Sequence, residues 1–221
     1  MNELIQVAAK DNHQFSAYIS QPLRKPKAGV VIIQEIFGVN THIKEVTDFY
    51  ASKGYLCIAP ALFDRVEKNV TLNYDEMGIS KGRNLKALCD KDAPKDIDAS
   101  ISVVSSAGKV GVVGYCWGGS LSWRMGCESS NLSASVCYYG GDIPKLGDLK
   151  PKCNILTHFG ELDKGIPIKD VKIFKEKRPE VLTYTYPADH GFNCDHRSQF
   201  NKICTNIALD RTLKFLEENI N

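Results

Sequence analysis

Runs of apolar residues alternate with amphipathic segments along most of this chain, and this alternation predicts strands separated by helices. Strands that are apolar on both faces are typical of a parallel sheet that helices cover on both sides. We therefore expect an α/β fold with a mostly parallel sheet. The apolar runs predict six strands, in residues 29–37, 55–59, 109–115, 133–139, 153–159 and 181–186.

Apolar residues at helical spacing predict helices between these strands. Asn40 can cap a helix that runs to about Ser52, and Pro94 suits the first turn of another helix. The last predicted helix starts near Arg197 and ends the chain. Residues 64–91 are the most polar and least regular part of the pattern, and we expect them to form part of a lid or a pocket wall.

Length and composition fit one globular domain over residues 1–221, since no linker or repeat divides the chain. The 28 basic and 26 acidic residues are spread along the sequence, which predicts a small-molecule partner and no binding of nucleic acid. No apolar run is long enough to span a bilayer, and the N-terminus is charged where a signal peptide would be apolar. We therefore expect a cytoplasmic protein without a membrane partner; the pattern leaves monomer and homodimer open.

Eight cysteines are present, but no two of them have the C-x-x-C spacing of a zinc or redox motif. In a reducing compartment a disulfide framework is not expected, so most of them should be small core residues. A cysteine with a chemical role must therefore be identified by its surroundings.

Cys116 has such surroundings, because it lies in "GYCWG", residues 114–118, between a predicted strand and a helix. This is the spacing and context of the Gly-x-Ser-x-Gly nucleophile elbow, with a thiol in place of the serine. A helix N-terminus favours a thiolate, and the amide of Trp117 would be an oxyanion donor. The alternatives are a buried cysteine in a glycine-rich helix start and a phosphate-binding loop.

Two further residues follow predicted strands in the order nucleophile, acid, histidine. Asp163 comes just after the strand at 153–159, and His190 after the strand at 181–186. We interpret His190 as the base and Asp163 as the carboxylate that orients it. Asp189 competes for the acid role, although an adjacent residue reaches its neighbour's imidazole poorly; the alternative for His190 is a loop histidine that caps backbone groups.

Glu35 places a charge at the end of an apolar strand, where it is costly without a partner. It is either part of the site or half of a salt bridge with an arginine or lysine. The amide of Ile36, in the same loop, is the candidate for the second oxyanion donor. Aromatic residues near the predicted site could line an apolar pocket or belong to the core: Phe37, Tyr139 and Phe192.

Four segments, "QEIFGVN", "VGVVGYCWGGS", "HFGELD" and "DHGF", occur in this order over almost the whole chain and resemble the dienelactone hydrolase family. The resemblance implies an eight-stranded α/β-hydrolase fold and a triad of Cys116, His190 and Asp163. It also implies that Glu35 pairs with the resting thiol and helps to form the thiolate when substrate arrives. The expected reaction is hydrolysis of small esters or lactones through a thioester on Cys116, without a metal or an organic cofactor.

The chain departs from the family pattern at the arginines that hold a substrate carboxylate. One of them is expected four residues after His190, where this chain has Cys194, and Arg197 lies further on. Arg65 and Arg83 are the candidates in the middle segment, and we place Arg83 in the substrate pocket. Whether the substrate is anionic therefore stays open.

Two other functions use the same residues. A redox sensor or ligand-binding protein would need no hydrolysis, and in a sensor Cys194 could resolve an oxidised Cys116. Zinc bound by His190, Cys194 and His196 has suitable residue types but lacks a second cluster of ligands, so we expect no metal.

Overall fold

The computed structural model describes residues 2–221, which form one eight-stranded sheet with helices. The strands are β1 (Asn2–Ala8), β2 (Gln14–Ser20), β3 (Gly29–Ile33), β4 (Leu56–Pro60), β5 (Val110–Tyr115), β6 (Ala134–Tyr138), β7 (Asn154–Gly160) and β8 (Leu182–Tyr186). The α-helices are α1 (Thr41–Ser52), α2 (Glu76–Cys89), α3 (Ala93–Val104), α4 (Trp117–Glu128), α5 (Ile168–Lys177) and α6 (Lys202–Ile220). Short 3-10 helices cover Leu62–Arg65 and Ser105–Ala107.

The strands lie in the order β1-β2-β4-β3-β5-β6-β7-β8. β1 and β2 pair antiparallel, as do β2 and β4, and every other neighbouring pair is parallel. The prediction of a mostly parallel sheet of about eight strands is thus confirmed. Parallel strands end at the same edge, so the loops after β3, β5, β7 and β8 meet there.

β3 explains why the apolar runs predicted buried strands. Val30 and Ile32 belong to the core on one side of the sheet, whereas Val31 and Ile33 belong to the core on the other side. All four side chains are fully buried. A strand covered on both faces has no position for a polar residue, which produces the continuous apolar run.

The six predicted strands contain no counterpart of the hairpin formed by β1 and β2. β1 is an edge strand whose residues are mostly exposed, and β2 alternates between buried and more exposed positions. Such a strand has no long apolar run, so hydrophobicity alone gives a weak signal.

Asn40 caps α1 as predicted, since its side chain accepts a hydrogen bond of 3.1 Å from the amide of Ile43. The final helix, however, begins at Lys202 and not near Arg197. Asn201 caps it by accepting a 3.1 Å hydrogen bond from the amide of Cys204. Residue 197 consequently lies in the loop before α6. Within residues 2–221, no helix combines the length and the apolar character needed to cross a bilayer.

The polar segment at residues 64–91 is more regular than its pattern suggests, because α2 occupies half of it. Asp75 caps α2, accepting a hydrogen bond of 2.7 Å from the amide of Gly78. Few residues of α2 are buried, Leu85 and Cys89 among them. The narrow buried stripe explains the weak helical pattern, and α2 supplies one wall of a cavity described below.

Candidate active site

Cys116 occupies a strained turn between β5 and α4. Its φ of 56° and ψ of −114° lie outside the regions that residues with a Cβ normally adopt. Backbone hydrogen bonds hold the turn, because the Cys116 amide donates to the Tyr138 carbonyl at 3.0 Å and the Ser120 amide donates to the Cys116 carbonyl at 3.2 Å. This is the strand-to-helix geometry of a nucleophile elbow.

Two glycines allow α4 to approach the sheet closely at this turn. A Cβ on Gly118 would lie 2.2 Å from the carbonyl oxygen of Ile33, and one on Gly114 would lie 2.0 Å from the carbonyl oxygen of Gly118. Both obstacles are backbone atoms, which cannot move aside as a side chain can. The glycines that flank the cysteine are therefore required by packing.

His190 lies between Cys116 and Asp163. Its Nε2 is 3.1 Å from Sγ of Cys116, and its Nδ1 is 2.6 Å from Oδ2 of Asp163. The Asp163 side chain is only 2% exposed and also accepts a 2.8 Å hydrogen bond from the Gly165 amide. Asp189 instead accepts a hydrogen bond from the backbone amide of His190. The fold therefore brings together the three residues that the sequence selected, with Asp163 on the imidazole.

The contacts of His190 favour its protonated form. Burial opposes the charge, but the negative charge of Cys116 and the hydrogen bonds to Asp163 and Cys116 outweigh it and raise the pKa of His190 to about 10. Cys116 also precedes the first residue of α4, where the helix dipole favours an anion. These contacts thus hold a positively charged imidazole beside Sγ of Cys116.

Trp117 and Ile36, the candidate oxyanion donors, line the same cavity as Cys116. Trp117 is the first residue of α4, a position whose amide has no acceptor inside the helix. Its side chain is fixed, because the indole donates a 2.6 Å hydrogen bond to Asp90 and its ring stacks on Phe63. The Trp117 amide thus lies at the start of α4 and the Ile36 amide in the loop after β3, the two positions from which oxyanion donors come in this architecture.

The cavity at Cys116 has a volume of about 260 Å³. Phe37 and Arg83 line it, as the sequence predicted, but Tyr139 and Phe192 are fully buried and are not part of its lining. The Tyr139 ring lies 5.1 Å from that of His190, so it packs behind the imidazole. The cavity is lined by Ile36, Phe37, Ile79, Arg83, Lys86, Cys116, Trp117, Ser120, Gly141, Asp142, His190 and Arg197.

Glu35 forms an ion pair with Arg197, the salt-bridge alternative that the sequence left open. Nη1 of Arg197 donates a 3.2 Å hydrogen bond to Oε1 of Glu35. The pairing of Glu35 with Cys116 that the resemblance implied is not seen within residues 2–221, where the thiol contacts His190. The second carboxylate oxygen of Glu35 is buried without a hydrogen-bond partner in the described part of the chain.

Arg197 is the residue of this site that the sequence placed least well. Its guanidinium carbon lies 5.7 Å from the ring centroids of both Phe37 and Tyr74, and the side chain lines the cavity. The available signal was a basic residue shortly after His190. The sequence pattern started the last helix near residue 197, whereas α6 begins at Lys202 and Arg197 lies in the loop before it. This difference hid the relation of Arg197 to the site.

The structure does not favour the redox sensor or the zinc site on His190, Cys194 and His196 that the sequence also suggested. Cys194 is fully buried, and burial raises the pKa of its thiol to about 12. A buried, protonated thiol is a poor resolving group. In the described chain, His190, Cys194 and His196 do not converge on a common point, since His196 contacts Glu45.

Comparisons with known proteins give a consistent result. The model of the dienelactone hydrolase family matches residues 15–220. A protein of Synechocystis with the provisional name carboxymethylenebutenolidase is 32% identical over 212 residues, which cover 86% of each chain. The carboxymethylenebutenolidase of Pseudomonas putida is 29% identical over 228 residues, covering 98% of this chain and 96% of that protein.

The fold also matches a solved structure. A protein of Klebsiella pneumoniae, provisionally described as a dienelactone hydrolase, superposes with a TM-score of 0.86 at 24% identity. The superposition covers 99% of this chain and 98% of the other. With a mostly parallel sheet and a family match over nearly its full length, this chain belongs to the dienelactone hydrolase family.

Proposed function

We propose that this protein hydrolyses small carboxylic esters or lactones through a thioester on Cys116. Membership of the dienelactone hydrolase family makes the chain a carboxylic ester hydrolase. The thioester mechanism rests on the line of contacts from Cys116 Sγ through His190 to Asp163, at 3.1 Å and 2.6 Å. A strained elbow holds the sulfur at one end of this line.

In the acylation step, Sγ of Cys116 attacks the acyl carbon and a C–S bond forms. The amides of Trp117 and Ile36 donate hydrogen bonds to the oxyanion. When the tetrahedral intermediate collapses, the C–O bond to the leaving group breaks. The leaving oxygen takes the proton of His190 Nε2, which leaves a neutral imidazole beside the thioester.

In the deacylation step, the neutral His190 takes a proton from water, which attacks the thioester carbonyl. The C–S bond breaks, the acid is released, and the thiolate–imidazolium pair is restored. Asp163 keeps the imidazole oriented through both steps. No step requires a metal or an organic cofactor, because the oxyanion is stabilised by amides and the proton is carried by His190.

The charges around the cavity favour a substrate with an anionic group. Arg83, Lys86 and Arg197 line it together with a single acid, Asp142. Lys86 pairs with Asp142 at 3.2 Å and Arg197 pairs with Glu35. Arg83 has no ion-pair partner among residues 2–221, so it is the cation most available to a substrate carboxylate.

The test of the thioester compares the wild type with Cys116→Ala on an activated aryl ester. We expect a burst of the aryl alcohol and an acyl adduct on the peptide that contains Cys116, cleaved by hydroxylamine. An enzyme that turns over without this adduct, or a Cys116→Ala variant with full activity, would refute the mechanism.

The test of the substrate class uses a pair of aryl esters that differ only in a terminal carboxylate. Arg83→Ala should raise KM for the anionic ester by roughly tenfold, equivalent to one charge-assisted hydrogen bond, and leave the neutral ester unchanged. Arg24→Ala, which changes another exposed arginine, is the matched control. An equal effect of Arg83→Ala on both esters contradicts a carboxylate site.

A further inference from the structure

A second cluster of chemistry-bearing side chains lies outside the lining of the catalytic cavity. His42 and Glu45 belong to α1, and Asp195 and His196 belong to the loop between β8 and α6. Each residue offers one nitrogen or oxygen, and these four atoms all lie within 4.8 Å of one another. Residues separated by more than 100 positions thus present their donors to one point.

The distances within the cluster lie on either side of the spacing that one bound ion would impose, and none exceeds 4.8 Å. Nε2 of His196 is 2.7 Å from Oε2 of Glu45 and 3.9 Å from Oδ1 of Asp195. Nδ1 of His42 is 3.4 Å from the same Asp195 oxygen. Ligands at 2.0–2.2 Å around a tetrahedral zinc ion are roughly 3.4 Å apart. Small rotations of exposed side chains would complete that geometry.

An ordinary surface ion pair does not account for the buried position of His42. Its side chain is only 4% exposed, and Nδ1 points into the cluster while Nε2 is buried without a hydrogen-bond partner in the described chain. A buried imidazole with an unpaired nitrogen is costly. A histidine that binds a metal uses one nitrogen as ligand and directs its other N–H at a carboxylate or a water.

We propose that His42, Glu45, Asp195 and His196 bind one divalent transition-metal ion, with zinc as the best match. Two imidazoles and two carboxylates are a donor set suited to zinc, whereas calcium and magnesium prefer oxygen ligands. Four protein ligands make this a closed, structural site without an open position for catalysis. A cavity of about 260 Å³, lined in part by His42, Glu45 and Asp195, gives an ion access from solvent.

The ion would join α1 to the loop that follows the proposed catalytic histidine. Arg197 comes directly after His196 and pairs with Glu35. A metal bound to His196 would therefore also hold in place the backbone that carries Arg197. Because an ion that binds only the folded state stabilises it by mass action, zinc should raise the unfolding temperature. This site does not depend on the proposed thioester chemistry.

The test is a titration of the chelator-treated full-length protein with Zn²⁺ and Co²⁺, in the wild type and in Cys116→Ser. The second protein removes the thiol that could itself bind metal beside His190. We expect one equivalent bound in both, and a Co²⁺ spectrum with ligand-field bands but no thiolate charge-transfer band. Zn²⁺ should raise the unfolding temperature of both proteins.

His196→Ala and Glu45→Gln should each weaken binding by more than about 100-fold, beyond the effect of losing a group that only orients a ligand. His13→Ala, which changes a histidine outside the cluster, is the matched control and should bind as the wild type does. Circular dichroism would verify folding, and Glu45→Gln preserves size if His196→Ala unfolds. Binding that is absent, unaffected by both substitutions, or lost in Cys116→Ser would overturn the proposal.

Discussion

Arg197 donates a hydrogen bond of 3.2 Å to Glu35, and the two form a nearly buried ion pair at the catalytic cavity. The Glu35 side chain is 1% exposed and that of Arg197 is 12% exposed. Glu35 follows β3 and Arg197 follows β8, so the pair connects the loop of a proposed oxyanion donor to the loop of His190. Removing one partner would leave the other charge buried and unpaired.

Glu35→Gln should therefore destabilise the protein by about 3 kcal/mol, measured as the free energy of unfolding in denaturant. The matched control is Glu67→Gln, which breaks the 2.6 Å pair with Lys81, where both side chains are about half exposed. That substitution should cost less than about 1 kcal/mol. Equal losses in the two variants would show that the Glu35–Arg197 pair is not buried in solution.

Cys116→Ala should abolish activity without loss of stability. If the thiol is the nucleophile, kcat should fall by at least about 10³-fold on an activated ester. Alanine keeps the Cβ in the same turn, so the unfolding temperature should remain close to that of the wild type. A parallel drop in both quantities would indicate a structural role for Cys116.

The raised pKa of His190 predicts how the reactivity of Cys116 depends on pH. With that pKa at about 10, His190 stays protonated at neutral pH and loses its charge only as the pH rises through about 10. A positive charge therefore lies beside Sγ of Cys116 throughout the neutral range. His190→Gln removes this charge, and alkylation of Cys116 at about pH 7 should slow by roughly tenfold or more.

Peptide-level mass spectrometry measures this rate separately for each cysteine. Cys153 is the internal control, because burial raises the pKa of its thiol to about 11 and His190 is not among the causes. Its alkylation should be slow and the same in both proteins. An unchanged rate at Cys116 in His190→Gln would contradict the thiolate–imidazolium pair.

Gly118→Ala should destabilise the fold by about 2 kcal/mol or more, because the new Cβ would lie 2.2 Å from the Ile33 carbonyl oxygen. Gly141→Ala is the control, since a Cβ there meets no heavy atom within 4 Å in the described chain. Denaturant unfolding of the two variants compares them directly. If both are tolerated equally, the close contact of α4 with the sheet is not a constraint on this turn.

Local patterns predicted the central part of the fold well. The apolar runs marked β3 to β7 because those strands lie inside the sheet, and they also marked β8, although it is an edge strand. Asn40 marked the start of α1. The same patterns missed β1 and β2, and they started α6 too early. The β1–β2 hairpin has few consecutive buried positions and so no apolar run, and amphipathicity alone does not identify the residue at which a helix is capped.

The sequence by itself determined the catalytic candidates, because Cys116, Asp163 and His190 each follow a recognisable strand and parallel strands end at one edge. Only the tertiary structure decided the partners of the charged loop residues. Glu35 meets Arg197 across 162 positions, and His42 meets Asp195 from a different element. Periodicity reports whether a side chain is buried, whereas its partner depends on how distant loops converge.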